Sequence, residues 1–401
     1  MDAIKKKLPT CIIFLTLFNG IVATSKEYQN VTSRTMTVDE WLNSEDLFPG
    51  HVIPSNVQHM DALKMFNKLL EDHTTFSQAY ERYRVQHNKE SDLDDTKIEN
   101  RKMFFRGNLQ FIFHHNLRAD LGQYRFNVGV NDFADMSDEE MTHFLGANDR
   151  IPFHPETGEH GKPENPMGNP QHIFGSNPTQ FPPNYDLRQE NLMSPVKNQR
   201  NCGSCVFFSM GGLVETLHAS KNGGEIINVS EQMMLDCATK DNGYTENGGC
   251  NGNIMEDTLQ FLQDYGVGHE THKPYKAQQQ NCTGDYYPVV AKLKEWKQLE
   301  ANPDALKSVL VNLKAPVAVA YLVYQPFMFY RSGIYDFCPT PGGYTGGHAV
   351  LIGGYGKFFD TEYWIVKNSW GVRWGELGYF RYMMGSQFCG LERWAFTASL
   401  E

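Results

Sequence analysis

Positive charge is scarce in this 401-residue chain: 36 Lys and Arg stand against 47 Asp and Glu, a formal net charge of −11. That balance excludes a phosphate-neutralising surface, so neither DNA nor RNA is expected as a partner. Long apolar runs are also scarce. The run from Cys11 to Phe18 is too short to span a bilayer, and no other approaches that length, so no membrane anchor is expected. A second Cys-x-x-Cys is missing, which leaves Cys202 and Cys205 without the partners of a four-thiolate zinc site. No metal or other cofactor is expected. The "GGYG" from Gly353 lacks the Lys-Ser or Lys-Thr pair of a phosphate loop and reads as a turn. No internal repeat is visible.

What is present is enough apolar residue, 40% of the chain, for one large or two modest domains. Residues 1–25, "MDAIKKKLPTCIIFLTLFNGIVATS", have the layout of a secretory signal peptide: three lysines, a short apolar core, then small residues. This route leads to an extracellular or lysosome-like compartment, where cysteines pair and the sequons at Asn30, Asn228 and Asn281 become glycosylation candidates. Eight cysteines less Cys11 of the leader leave seven. An odd number leaves one thiol unpaired, and the other six can pair in fifteen ways.

Residues 26–75 form an N-terminal extension. From Asn56 to about Asn116 the pattern is helical, first in Met60, Leu63, Phe66 and Leu70, then in Arg101, Phe105, Asn108, Ile112 and Asn116. The second stripe mixes Arg and Asn with apolar residues, which points to polar groups docking on something specific. In "GVNDFADM", Gly129, Asn131, Phe133 and Asp135 alternate like a strand. Residues 147–180 are rich in Pro, Gly, Asn and His and read as an exposed, cleavable linker. Beyond Phe181 the chain reads first as helices, one capped by Ser230, and from about Ala315 as antiparallel strands. Such an order predicts an α+β fold of two lobes with a cleft between them.

A nucleophilic cysteine needs a base, a group that orients the base, and donors for the oxyanion. Cys205 follows Gly203 and Ser204 and opens an expected helix, where backbone dipoles favour a thiolate. His348 in "GGHAV" and Asn368 in "KNSWG" follow in that order.

With "FPPNYDLR", "SPVKNQRNCGSCVFFS", "SEQMMLDC", "GGCNG", "YWIVKNSWG" and "CGLERW", residues 181–401 resemble a papain-family, cathepsin L-like cysteine protease. The resemblance implies a papain-like two-lobed fold and a monomeric endopeptidase acting on polypeptides. It makes Cys205 the nucleophile, His348 its acid and base, Asn368 the group orienting the ring, and Gln199 a donor to the oxyanion hole. Trp370 would shield the His348–Asn368 bond. It pairs Cys202 with Cys250, Cys237 with Cys282 and Cys338 with Cys389, leaving Cys205 free. Gly203, Ser204, Gly252, Asn253, Met255, Ala320, Gly346 and Trp394 would line the substrate cleft, with Trp394 making the P2 pocket shallow.

Residues 76–146 resemble the inhibitory propeptide of the same family, which makes the chain a zymogen blocked by its own propeptide. Lys97 stands where that family's stripe begins with Glu. Acid is expected to weaken the block by protonating Asp135. Three further departures are Val206 in place of the family's Trp, Leu187 in place of Trp, and Asn253 in place of Gly. Asn253 is expected to narrow or reshape the cleft. These departures also support a rival reading, a protease homologue that binds peptides or proteins and cleaves poorly; a third, weaker still, is a propeptide acting as an inhibitor of other proteases.

Overall fold

The computed structural model describes residues 59–89, 94–147, 181–283, 288–339, 343–385 and 389–401. The leader 1–25, Asn30, most of the extension and all of the linker after Ala147 lie outside the described residues.

Four helices, α1 (His59–Glu71), α2 (His73–Gln86), α3 (Asp95–Asp120) and the short α4 (Asp138–Thr142), with strand β1 (Phe126–Val128), make up the N-terminal part. Asp72 starts α2 by accepting hydrogen bonds from the Thr74 and Thr75 amides, and Asp94 starts α3 through the Lys97 amide. Phe66 of α1 stacks on Phe113 of α3 at 4.1 Å, so α1 packs with the helices that follow it. The expected boundary between residues 75 and 76 therefore runs through α2.

The mixed stripe of α3 is a docking face. Asn108 donates to the carbonyls of Ala134 and Met136, both at 3.0 Å. Asn116 both donates to and accepts from the backbone of Val128. Arg101 forks onto Glu140 at 2.6 and 2.7 Å and donates to the Asp135 carbonyl. Asn108 thus satisfies main-chain carbonyls that lie outside any strand or helix, and Asn116 satisfies the end of β1. The alternation at Gly129–Asp135 is not a strand: residues 132–135 form turns, and the Asn131 side chain accepts from the Phe133 amide. The alternating residues divide: Gly129, Asn131 and Phe133 meet Phe329, Met328 and Trp370 of the C-terminal part, and Asp135 turns to Tyr83 and Lys89. Asp135 is buried there, 2.7 Å from the Lys89 ammonium and 3.0 Å from the Tyr83 hydroxyl.

In the C-terminal part, β2 (Tyr185–Asp186) precedes the helices α5 (Cys205–Lys221), α6 (Glu231–Cys237) and α7 (Met255–Asp264). Ser230 caps α6 through the Met233 amide. Strands β3 (Val267–Gly268), β4 (Val289–Ala291) and β5 (Leu293–Gln298) and helix α8 (Pro303–Leu313) follow. Then come β6 (Val317–Val323), α9 (Gln325–Met328), β7 (Tyr330–Tyr335), β8 (Gly346–Phe358), β9 (Thr361–Lys367), β10 (Tyr379–Met383) and β11 (Trp394–Leu400). One sheet runs β1-β7-β10-β9-β8-β6-β11-β5, with β2 on β8, and β3 pairs β4 separately. It is antiparallel except that β10 pairs β7 in parallel, which the expectation of antiparallel strands did not include. Strand β5 and the small β3–β4 ladder also arise before Ala315, earlier than the sequence pattern indicated.

Helix α5 is buried almost all round, as a central helix must be, and lies along β8 with Ser209 donating to the Val350 carbonyl. Disulfides join Cys202–Cys250, Cys237–Cys282 and Cys338–Cys389, and Cys205 alone is free among the described cysteines. Each bridge limits the unfolded chain by about 2–4 kcal/mol.

The N-terminal part enters this sheet directly. β1 pairs with β7, Phe126 opposite Gly333 and Asn127 opposite Ser332, and so covers an edge of the sheet by strand addition. Asp135→Asn leaves Lys89 buried without its counter-charge and loosens the segment that β1 belongs to. The variant is expected to lose about 1–3 kcal/mol of local stability, read as faster amide hydrogen exchange over residues 126–136; unchanged exchange there counts against this role.

Candidate active site

The start of α5 places Cys205 against the start of β8, and the thiol accepts a hydrogen bond from the Ala349 amide at 3.4 Å. Its neighbours are fixed by the main chain: the Gly203 amide donates to the Cys250 carbonyl, beside the Cys202–Cys250 bridge. The Ser204 hydroxyl meets the Tyr275 hydroxyl at 2.6 Å, and Tyr275 in turn donates to the Gln199 carbonyl. Sequence reading missed Tyr275. Phe208 packs edge-on against it at 4.8 Å, so aromatic bulk two residues past Val206 supports the loop that carries Gln199. Val206 and Leu187 are both fully buried in the core.

His348, the third residue of β8, is fully buried. Its Nε2 lies 2.8 Å from Oδ1 of Asn368, one residue beyond β9. The amide oxygen only accepts, so the ring proton sits on Nε2, and Nδ1 is the nitrogen able to exchange a proton. Nδ1 has no protein partner among the described residues. Trp370 stacks on the imidazole at 4.6 Å, and Phe133 of the N-terminal part stands edge-on against Trp370 at 5.1 Å.

Gln199 is also buried; its Nε2 donates to the Cys202 carbonyl at 2.9 Å and to the Phe144 carbonyl at 3.0 Å. Its Oε1 accepts from the Ser369 hydroxyl, which fixes the amide's orientation. After Phe144 the chain crosses the cleft. The Gly146 carbonyl accepts from the Asn253 amide at 2.7 Å, and the Ala147 amide donates to the Gly347 carbonyl at 3.1 Å. A side chain at Gly146 would place its Cβ 1.9 Å from the Gly203 carbonyl oxygen, so only glycine passes there.

The remaining predicted cleft residues divide. Gly252 takes a positive φ of 108° and turns the loop that presents the Asn253 amide. The Asn253 side chain is fully buried and binds the Gly203 and Gly249 carbonyls and the Gly249 amide, so it ties together the loops beside the thiol. Leu145 packs against Gly346, where an added Cβ would meet it at 3.1 Å. Ala320 lies opposite Trp394 on one side and Ala349 on the other, one residue from the His348 pair. Met255 opens α7 and is buried. Asn228 and Asn281 are exposed.

Burial sets the protonation states. It pushes the Cys205 thiol up to about 11, against weaker pulls from the Ala349 and Gly146 amides. It pushes His348 down to about 4, against the raising effect of Asn368. Thiol and neutral imidazole, not an ion pair, are the closed form. Beneath Asn368, and unforeseen from sequence, Lys197 bridges Glu215 and Glu231 at 2.6 Å each, and Lys367 donates to Ser194.

A buried thiol at a helix start, a histidine oriented by an amide, and a second amide holding a main-chain carbonyl thus lie together, covered by the chain that follows Phe144. Residues 181–399 match the family described as papain family cysteine protease, and residues 80–141 the cathepsin propeptide inhibitor domain. A cathepsin L-like proteinase of Fasciola hepatica is 35% identical over 318 residues, 78% of this chain and 90% of that one. Cathepsin S of Rattus norvegicus is 31% identical, covering 74% and 86%. The structure of digestive procathepsin L2 proteinase from Tenebrio molitor larval midgut superposes with a TM-score of 0.68 at 31% identity, over 81% of this chain and 99% of that one. The chain belongs to the papain family of cysteine proteases and carries that family's propeptide inhibitor domain. No described helix is long and apolar enough to cross a membrane.

His348 in the full chain, carried as Cys205→Ser to prevent turnover, is expected to stay neutral down to about pH 4. Imidazole NMR titration measures this, and a midpoint at the ordinary value of 6.5 would falsify the buried assignment.

Proposed function

We propose that the chain is the zymogen of a cysteine endopeptidase that forms an acyl-enzyme on Cys205. The observation that carries this is the Phe144 carbonyl on Gln199 Nε2, 3.0 Å away and beside a free thiol. An amide that already holds a carbonyl at this spot is placed to hold an oxyanion. In the reaction Cys205 gives its proton to His348 Nδ1, and the sulfur attacks the substrate carbonyl carbon. Gln199 Nε2 and the Cys205 amide receive the oxyanion. His348 returns the proton to the departing amine, then takes one from water as hydroxide attacks the thioester; the C–S bond breaks, the acid product leaves, and the proton on His348 returns to the Cys205 sulfur. Asn368 holds the ring in register, and Trp370 covers that bond.

Gly203, Ser204, Gly252 and the Asn253 amide form one wall of the cleft. Ala320, Gly346, Met255 and Trp394 form the P2 pocket. The expected leader and the three disulfides support passage through the secretory pathway to an extracellular or lysosome-like compartment, as a monomer, with sugars at Asn228 and Asn281.

After removal of the propeptide, a thiol-directed irreversible peptide inhibitor is expected to label the protein, and Cys205→Ser to abolish labelling. Labelling without peptide hydrolysis would favour the rival reading, a binding homologue. Gln199→Ala is expected to slow kcat roughly a hundredfold, about 3 kcal/mol, leaving residual activity; total loss would mean the residue is structural. Trp394 on the pocket floor is expected to favour Val over Phe at P2 in kcat/KM, and a preference for Phe would show the pocket to be deeper.

A further inference from the structure

At the end of the cleft away from Ala320 and Trp394, beyond Gln199, a cavity of 210 Å³ lies between propeptide and peptidase. The peptidase contributes Asn198, Arg200, Asn201, Trp370, Arg373 and Trp374 to its wall, two cations and no anion. Phe144, whose carbonyl rests on Gln199, lines the same cavity, so it is continuous with the thiol's surroundings. Into it the propeptide sends one carboxylate that meets the peptidase. Asp132 Oδ2 lies 2.9 Å from the Arg373 guanidinium, while its Oδ1 lies 2.5 Å from His87 Nδ1. Arg373 is half exposed even with the propeptide bound, and Asp132 is its carboxylate partner among the described residues. Arg200 is held at the rim by its hydrogen bond to the Tyr275 carbonyl and its position over the Tyr275 ring.

When the propeptide leaves, Asp132, His87 and Lys89 leave with it, and two arginines remain beside Trp370. We propose that Arg373, assisted by Arg200, forms a subsite for an acidic side chain on the leaving-group side of the substrate, which Asp132 fills in the zymogen. This rests on the acyl-transfer reading above, which puts P2 at Trp394 and so the leaving group at the Trp370 end. The volume suits a carboxylate side chain, and a guanidinium presents its donors in the fork a carboxylate accepts. In the zymogen the Asp132 carboxyl is held below the ordinary range against the effect of burial, chiefly by His87 and in smaller part by Arg373, and only the Arg373 part stays with the peptidase.

The test uses mature protein and internally quenched peptides identical except for Glu, Gln or Lys at the first, second or third residue after the scissile bond. At one of these positions Glu is expected to raise kcat/KM about three- to tenfold over Gln, as a half-exposed charge-assisted pair does. The ratio falls to about one in Arg373→Gln, shrinks with salt, and shifts toward Lys in Arg373→Glu; Arg200→Gln lowers it in part. Equal rates for Glu and Gln in the unaltered protein, or a ratio that survives Arg373→Gln, overturn the subsite. Should no peptide be cleaved, the acyl-transfer reading fails separately. Fluorescence anisotropy with the same peptides then decides the subsite: tighter binding of Glu, lost in Arg373→Gln, supports it, and equal Kd overturns it.

Discussion

The contact on which the closed molecule depends is the hydrogen bond from Gln199 Nε2 to the Phe144 carbonyl. In the proposed reaction that donor serves either the Phe144 carbonyl or an oxyanion, never both, so occupation and catalysis would exclude each other. The plug also avoids attack by its own geometry. For acyl transfer the carbonyl in the donor's reach must belong to the peptide at the sulfur. Here the donor holds Phe144, while the thiol is approached by the amide of Gly146, two residues on. Glycine at 146 lets the main chain sink past Gly203, and the lack of a side chain at Gly347 admits the Ala147 carbonyl. Main chain, not side chain, closes the site.

Behind that surface the lobes are joined by charge. Lys197 precedes the Gln199 loop, Glu215 lies in α5, Glu231 opens α6 and Lys367 ends β9, so four segments meet beneath Asn368. Burial raises the Glu231 carboxyl and lowers the Lys367 ammonium to about 8. Gly211 and Gly212 let α5 approach: a Cβ at Gly211 would lie 2.6 Å from a Glu231 oxygen. Buried ion pairs add little net stability beside an apolar equivalent. What such a cluster supplies is a single register between the segments, and the Gln199–Ser369 and His348–Asn368 bonds inherit it.

Much of this was legible in the sequence, and the reason differs from part to part. Helical stripes and glycine-bounded strands follow local periodicity, so α3, α5 and the late strands were read in place. The site followed from chain order and from motifs. Periodicity failed at Gly129–Asp135, where a turn wedged between the N-terminal helices and the C-terminal part reproduces a strand's alternation. It failed again at β5 and at the parallel β7–β10 pair, whose pairing is decided far away in the chain. Residue identity alone does not say where the Asn253 side chain turns. Tyr275, Gly146 and the Asp132–Arg373 pair left no local signal, since each acquires its meaning from a partner on another element.

Acid acts on this arrangement in two separate windows. A His348 held near 4 means that the folded chain takes no proton there while the unfolded chain, with a ring near 6.5, does. The stability this contributes is complete above pH 6.5 and is lost as pH falls toward 4. Asp132 and Glu140 behave differently. Burial opposes both charges, but His87 and Arg373 for the first and Arg101 and the Ser137 amide for the second hold them below their ordinary 3.8 and 4.5. Their contribution is present above those values and lost only as pH falls through the lowered ones. Mild acid therefore acts first on the buried histidine of the peptidase, among Tyr321, Phe327 and Trp370, and only later on the ion pairs that hold the propeptide's own fold and its edge against Arg373.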